Sequence, residues 1–174
     1  PPRSTLFPYT TLFRSELLGA KALVLGGAAT AVALYVTALL LAFYRPERFG
    51  GVFVGFLLGG LIYGVLGLLI GTVSRRELDG ILAILLLVNV DPGWLQNPVF
   101  YAEAQNQAVI RWLPSHHACQ IALMSAFTQR PLEGELVLGG AWLLALAAAA
   151  AVAYRWRLGL VRRRRSAGDD TPRP

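Results

Sequence analysis

The sequence predicts an all-α membrane protein of about four transmembrane helices, with an external re-entrant or interfacial helical hairpin inserted before the last. Three observations predict it. More than half of the residues are apolar and only 15% are charged. The apolar residues come in uninterrupted blocks close to membrane length, which places the chain in the membrane class. The densest basic cluster follows the last of those blocks directly, where a topology signal belongs.

The first fifteen residues, PPRSTLFPYTTLFRS, fit nothing after them. They hold no apolar h-region and no cleavage site, so they are not a secretory signal. They match, residue for residue, the translation of a common short-read sequencing adaptor. Residues 1–15 are therefore expected to be an artefact outside the fold, and the remainder a C-terminal fragment whose own N-terminus lies upstream. Leaving out Arg3 and Arg14 lowers the formal net charge from +6 to +4.

Ala22 to Tyr44 carries no charge and is mostly Leu, Ala and Val, between Lys21 and the stretch RPER. At about 1.5 Å per residue it matches a hydrocarbon core of about 30 Å, so it predicts the first span. Gly50 to Val73 predicts the second, and the short connection makes the two an antiparallel hairpin. Glycines pattern this second span. At about 100° per residue, Gly51, Gly55 and Gly59 fall on one stripe, and Gly60, Gly64, Gly67 and Gly71 on another. Small residues four apart let helix backbones approach closely in lipid, so the two halves of the span are expected to meet different neighbours.

The charged loop Ser74, Arg75, Arg76, Glu77 has the S-x-x-E pattern of a capping box, and Asp79 adds a carboxylate to the first turn. It predicts a helix over 75–90, barely long enough to cross, broken by Asn89, Asp91, Pro92 and Gly93. The segment from Trp94 to Leu132 is mixed. It predicts two helical pieces within 100–127, parted at Pro114, with Trp94, Tyr101 and Trp112 at headgroup level. Non-helical backbone at this depth requires burial in protein or contact with water. Leu136 to Tyr154 predicts the last span, and residues 166–174 a disordered tail.

Arg155, Arg157, Arg162, Arg163, Arg164 and Arg165 follow that span, and the positive-inside rule places them in the cytoplasm. The 74–79 loop then also faces the cytoplasm, while RPER and the hairpin face outward. No aromatic-interleaved basic surface accompanies the arginines, so nucleic acid is not an expected partner. Arginine outnumbers lysine fifteen to one, and alanine, glycine and proline abound, which points to GC-rich coding and a bacterial plasma membrane.

Chemistry-bearing motifs are few. The chain has no G-x-x-x-x-G-K-[ST], H-E-x-x-H, C-x-x-C or G-x-S-x-G. Cys119 is the only cysteine, so no intrachain disulfide forms. His116, His117 and Cys119 supply two ligands at helical spacing with no evident third, short of the four that a closed zinc site needs. No metal and no cofactor is assigned to them, and they are taken as polar residues at a membrane interface. The spans themselves carry no ionisable group. Asn89, Asp91, Glu103, Gln105 and Gln107 are the residues placed to line an external path.

The order of elements, together with the segments PGWLQNPVFYA and RWLPSHHACQIAL, resembles the C-terminal two-thirds of a permease subunit of the type 2 ATP-binding-cassette (ABC-2) exporter family. Pro92, Trp94 and Leu95 match the family's P-x-W-L element, and Asn97-Pro98 or Leu113-Pro114 its Pro-centred stretch. One departure is LVNVDPG, where the family carries an S-G element near the end of its fifth span. The resemblance implies a subunit with no catalytic residues and no bound cofactor. A separate cytoplasmic ATPase would hydrolyse ATP-Mg, and two permease halves would form the pathway. Glu16 to Lys21 would be the tail of the main coupling helix, and Ser74, Arg75, Arg76, Glu77 and Asp79 a secondary contact. The alternatives are a small accessory membrane protein, or a membrane-embedded enzyme using Asp91, His116 and His117.

Overall fold

The computed structural model describes residues 7–74, 76–103 and 107–169, without the side chains of 7–18, Pro98, Tyr101, Glu103 and 158–169. Among the described residues there is no strand. The helices are α1 (Phe7–Phe43), α2 (Phe49–Val73), α3 (Glu77–Val90), α4 (Pro98–Glu103), α5 (Gln107–Arg111), α6 (His116–Phe127) and α7 (Glu133–Asp169). Among the described residues, four segments are long and apolar enough to cross a membrane: Gly19–Phe43, Phe49–Val73, Glu77–Leu95 and Glu133–Arg157. The chain is an all-α membrane protein. Its outer faces agree, because Leu23, Tyr35, Leu86, Val137 and Leu144 each stand more than two-thirds exposed, far more apolar surface than a soluble monomer shows.

Helix α2 is the hub, and its glycines explain why. A Cβ on Gly51 would collide with Ser125 Oγ, and one on Gly55 would lie 2.7 Å from Ala122 N and 2.9 Å from Ala118 O. A Cβ on Gly59 would meet Ala118 at 3.6 Å. This stripe is the seat of α6. On the other stripe, Gly60 faces Ala29 and Gly64 faces Leu25, so α1 packs there. Gly67 and Gly71 face no neighbour within 4 Å, and they line a groove at the Ser74 end instead. Leu58 and Ile62 of α2 form a small apolar core with Ala118 and Ile121, closed by Leu143 and Leu146 of α7.

The order of those contacts fixes the path of α6. Residue numbers fall along α6 as they rise along α2, from Gly51 beside Ser125 to Gly59 beside Ala118. Helix α6 therefore runs antiparallel to α2, and its His116 end stops halfway along that helix. Its twelve residues rise about 18 Å, too short to cross. Its C-terminal end is held by the α1–α2 connection. The Arg48 amide donates to Ser125 O at 2.8 Å, and the Tyr44 hydroxyl to Ala126 O at 3.2 Å. The Arg48 guanidinium donates to Gln129 O at 2.7 Å and Arg130 O at 3.2 Å. A cation on the exposed carbonyls just past a helix C-terminus is favourable. At the opposite end of the bundle, Arg157 does the same for α2, donating to Thr72 O at 2.8 Å and Gly71 O at 3.2 Å.

Three expectations need correcting. Ser74 does not cap α3; it is the C-cap of α2, its amide donating to Ile70 O at 2.8 Å, and α3 begins at Glu77 behind Arg76 with no side-chain cap. Asp91, Pro92 and Gly93 do not break the third helix either, since the chain continues as a π-helical turn, Asp91–Leu95. Pro92 has no amide to donate back to α3, and the wider π-helical turn takes in its ring where a tighter α-helical turn would clash. The first half of the hairpin is two short helices, α4 and α5, in place of one piece. Helical backbone also extends over 7–15 and 166–169.

Candidate functional site

The π-helical turn places a carboxylate where a helix end would have placed none. Asp91 lies about 21 Å along the helix axis from Glu77, some two-thirds of the way across a core of about 30 Å. It is 1% exposed. An ionisable group thus sits inside the Glu77–Leu95 span, correcting the reading that the spans carry none. Buried charge at this depth persists only when hydrogen-bonded. Three donors converge on Asp91: the Tyr63 hydroxyl from α2 on Oδ2, the Ser115 hydroxyl on Oδ1 at 2.6 Å, and the Gln96 amide on Oδ1 at 3.3 Å. The Gln96 backbone amide also donates to Asp91 O at 3.1 Å, closing the π-helical turn.

The network extends through Gln96. With its amide nitrogen on Asp91, its Oε1 faces His116 Nδ1 at 3.0 Å, so His116 donates from Nδ1. Gln96, Ser115 and His116 are all buried. Gln96 and Ser115 both touch Asp91, so residues 97–114 leave the cluster and return to it, and α6 starts there. Beside it, His117 Nδ1 lies 2.6 Å from Glu135 Oε2 in the first turn of α7. The two imidazoles are 5.3 Å apart at 79°.

Residues in α6, outside the four spans, titrate abnormally. Burial, then the neighbouring His117, holds His116 below the usual imidazole range. Burial, then the Asp91 charge, pushes the Cys119 thiol up to about 11. The cluster opens on two sides. A mainly apolar cavity of about 720 Å3, walled by α1, α2 and α6, has Tyr63, Gln96, Ser115 and Cys119 at its polar end. A second cavity of about 540 Å3, between α6 and α7, is lined by His116, His117 and Glu135.

Of the residues singled out in the sequence, Asp91, His116, His117 and Cys119 come together here. Asn89 does not: its side chain is exposed and bonds back to Leu85 O at 2.8 Å. Arg76, Glu77 and Asp79 are exposed at the Ser74 end, as is Arg155. Arg75 and Gln105 lie outside the described residues, as do the side chains of Glu103, Arg162, Arg163, Arg164 and Arg165. Gln107 is half-buried in α5. Sequence reasoning missed Tyr63, Gln96, Ser115 and Glu135. The one phenolic hydroxyl in an otherwise almost wholly apolar span was the available signal for the first. Compared with family models, curated proteins and solved structures, the chain matches none.

Proposed function

We propose that the chain is the transmembrane subunit of an ATP-driven exporter of the ABC-2 type. One observation carries this reading: a re-entrant helix, α6, seats on a glycine face and closes a hydrogen-bonded polar cluster at membrane depth against a cavity of about 720 Å3. Polar groups built into a membrane bundle mark a pathway more often than a scaffold. In this reading a second permease half completes the pathway, and a cytoplasmic ATPase binds ATP-Mg and docks near Arg76, Glu77 and Asp79. In this reading the chain itself binds no nucleotide, performs no chemistry and contacts no nucleic acid. It resides in a bacterial plasma membrane with its C-terminal arginines in the cytoplasm. Arg48, the strongest charge against that orientation, is engaged by the carbonyls of 129 and 130 and so is weakened as a topology signal.

The test is purification of the tagged chain from its own membrane. A subunit bearing G-x-x-x-x-G-K-[ST] should co-purify, with ATP hydrolysis that depends on both proteins. A complex without any nucleotide-binding subunit would sink the exporter reading. The convergence of Asp91, His116 and His117 favours a second reading, a membrane-embedded enzyme, which predicts turnover without ATP.

A further inference from the structure

We propose that His116, His117 and Glu135 form a binding site for a divalent transition-metal ion of the zinc class, facing the cavity between α6 and α7. One nitrogen of each imidazole and one Glu135 oxygen lie within 4.8 Å of one another. A tetrahedral ion with bonds of about 2.0 to 2.2 Å holds its donors about 3.3 Å apart, so small side-chain rotations seat it. Adjacent histidines on a helix diverge by about 100°. Here both rings nonetheless reach one cavity, and α7 brings a carboxylate to meet them.

The surroundings are built as those of a metal site are. A ligating histidine is usually oriented by a hydrogen bond from its other nitrogen. Asp91 fixes the Gln96 amide, and Gln96 Oε1 accepts from His116 Nδ1, which turns the Nε2 lone pair into that ring's ligand. Two imidazoles and one carboxylate suit zinc, copper, nickel or iron better than magnesium or calcium. Three protein ligands leave a coordination position open, the arrangement of ions that exchange or act, not of closed structural zinc. That position faces a cavity which Arg111, Gln120 and Met124 also line, so an anion or water completes the shell. Metal entry at His117 Nδ1 replaces the hydrogen bond to Glu135, with the proton of the neutral ring then on Nε2. The site does not depend on whether the chain transports anything.

Co2+ is the probe, titrated into the full chain purified in detergent with a tag free of histidine and stripped with a chelator. One equivalent should bind with the visible absorption of a tetrahedral ion and be displaced by Zn2+. His117→Ala and Glu135→Gln should each weaken binding about tenfold or more, and Gln96→Leu should weaken it through ring orientation alone. Glu135→Gln retains a hydrogen-bonding partner for His117, so its metal-free unfolding midpoint serves as the folding control. A parent chain that binds no more Co2+ than the His117→Ala/Glu135→Gln double variant overturns the proposal. So does a folded Glu135→Gln variant that binds as tightly as the parent.

Discussion

At the residue scale the molecule turns on Asp91. Its carboxylate gathers hydroxyls from α2 and from the entry to α6, plus the amide of Gln96. Removing it strands three donors in the bundle interior, and each buried orphan costs about 1 to 3 kcal/mol. Asp91→Ala is therefore expected to lower unfolding stability in detergent by about 2 to 4 kcal/mol. Asp91→Asn keeps one acceptor for Ser115 and Gln96 and lets Tyr63 accept in turn, so about 1 kcal/mol is expected. Equal losses in the two variants, measured by thermal unfolding, would show that the network is not what holds this corner. Asp91 was visible in the sequence as a polar group at the end of a short helix, but its burial was not. Asp-Pro-Gly is chemically a stop signal, and only the Tyr63 and Ser115 hydroxyls, 28 and 24 residues away, make a continued π-helical turn worthwhile. Likewise His117 and Glu135 are 18 residues apart across a turn, a separation with no periodic signature.

At the scale of elements, the glycines of α2 divide the bundle. Gly55→Ala would drive a methyl to 2.7 Å from the backbone nitrogen of Ala122, and backbone cannot step aside as a side-chain tip can. Overpacking of this kind costs about 1 to 3 kcal/mol, so α6 should loosen and the polar cluster with it. Gly67→Ala meets nothing within 4 Å and gains up to about 1 kcal/mol of helix propensity. The two substitutions share a chemistry and a helix, so opposite shifts in unfolding midpoint isolate the packing term. If Gly67→Ala is as damaging as Gly55→Ala, the contact assignment fails. Hydropathy made the spans legible because lipid selects on length and composition, and both are local. The capping-box reading failed because Ser74 had a prior claim on it: α2 stays helical through Val73, and only the residues up to Arg76 remain to reverse the chain.

For the whole molecule, the question is how many times the chain crosses between the 74–79 loop and the 128–132 turn. Helix α3 with its π-helical turn crosses once, whereas α6 enters and turns back. Asp79 and Gln129 are both exposed and should lie on opposite sides. In a Cys119→Ala background, Gln129→Cys should react with a membrane-impermeant maleimide in intact cells, and Asp79→Cys only after permeabilisation. The parent chain, which keeps Cys119, is labelled in parallel for comparison. With its thiol pushed up to about 11, roughly one molecule in a thousand is thiolate at pH 8, so labelling should be slow and rise about tenfold per pH unit. Reversed labelling of positions 79 and 129 would invert the proposed orientation and leave the bundle intact. Labelling of both from one side is the more damaging outcome. It would mean that α3 does not cross, and then Asp91 would have no membrane interior to be buried in.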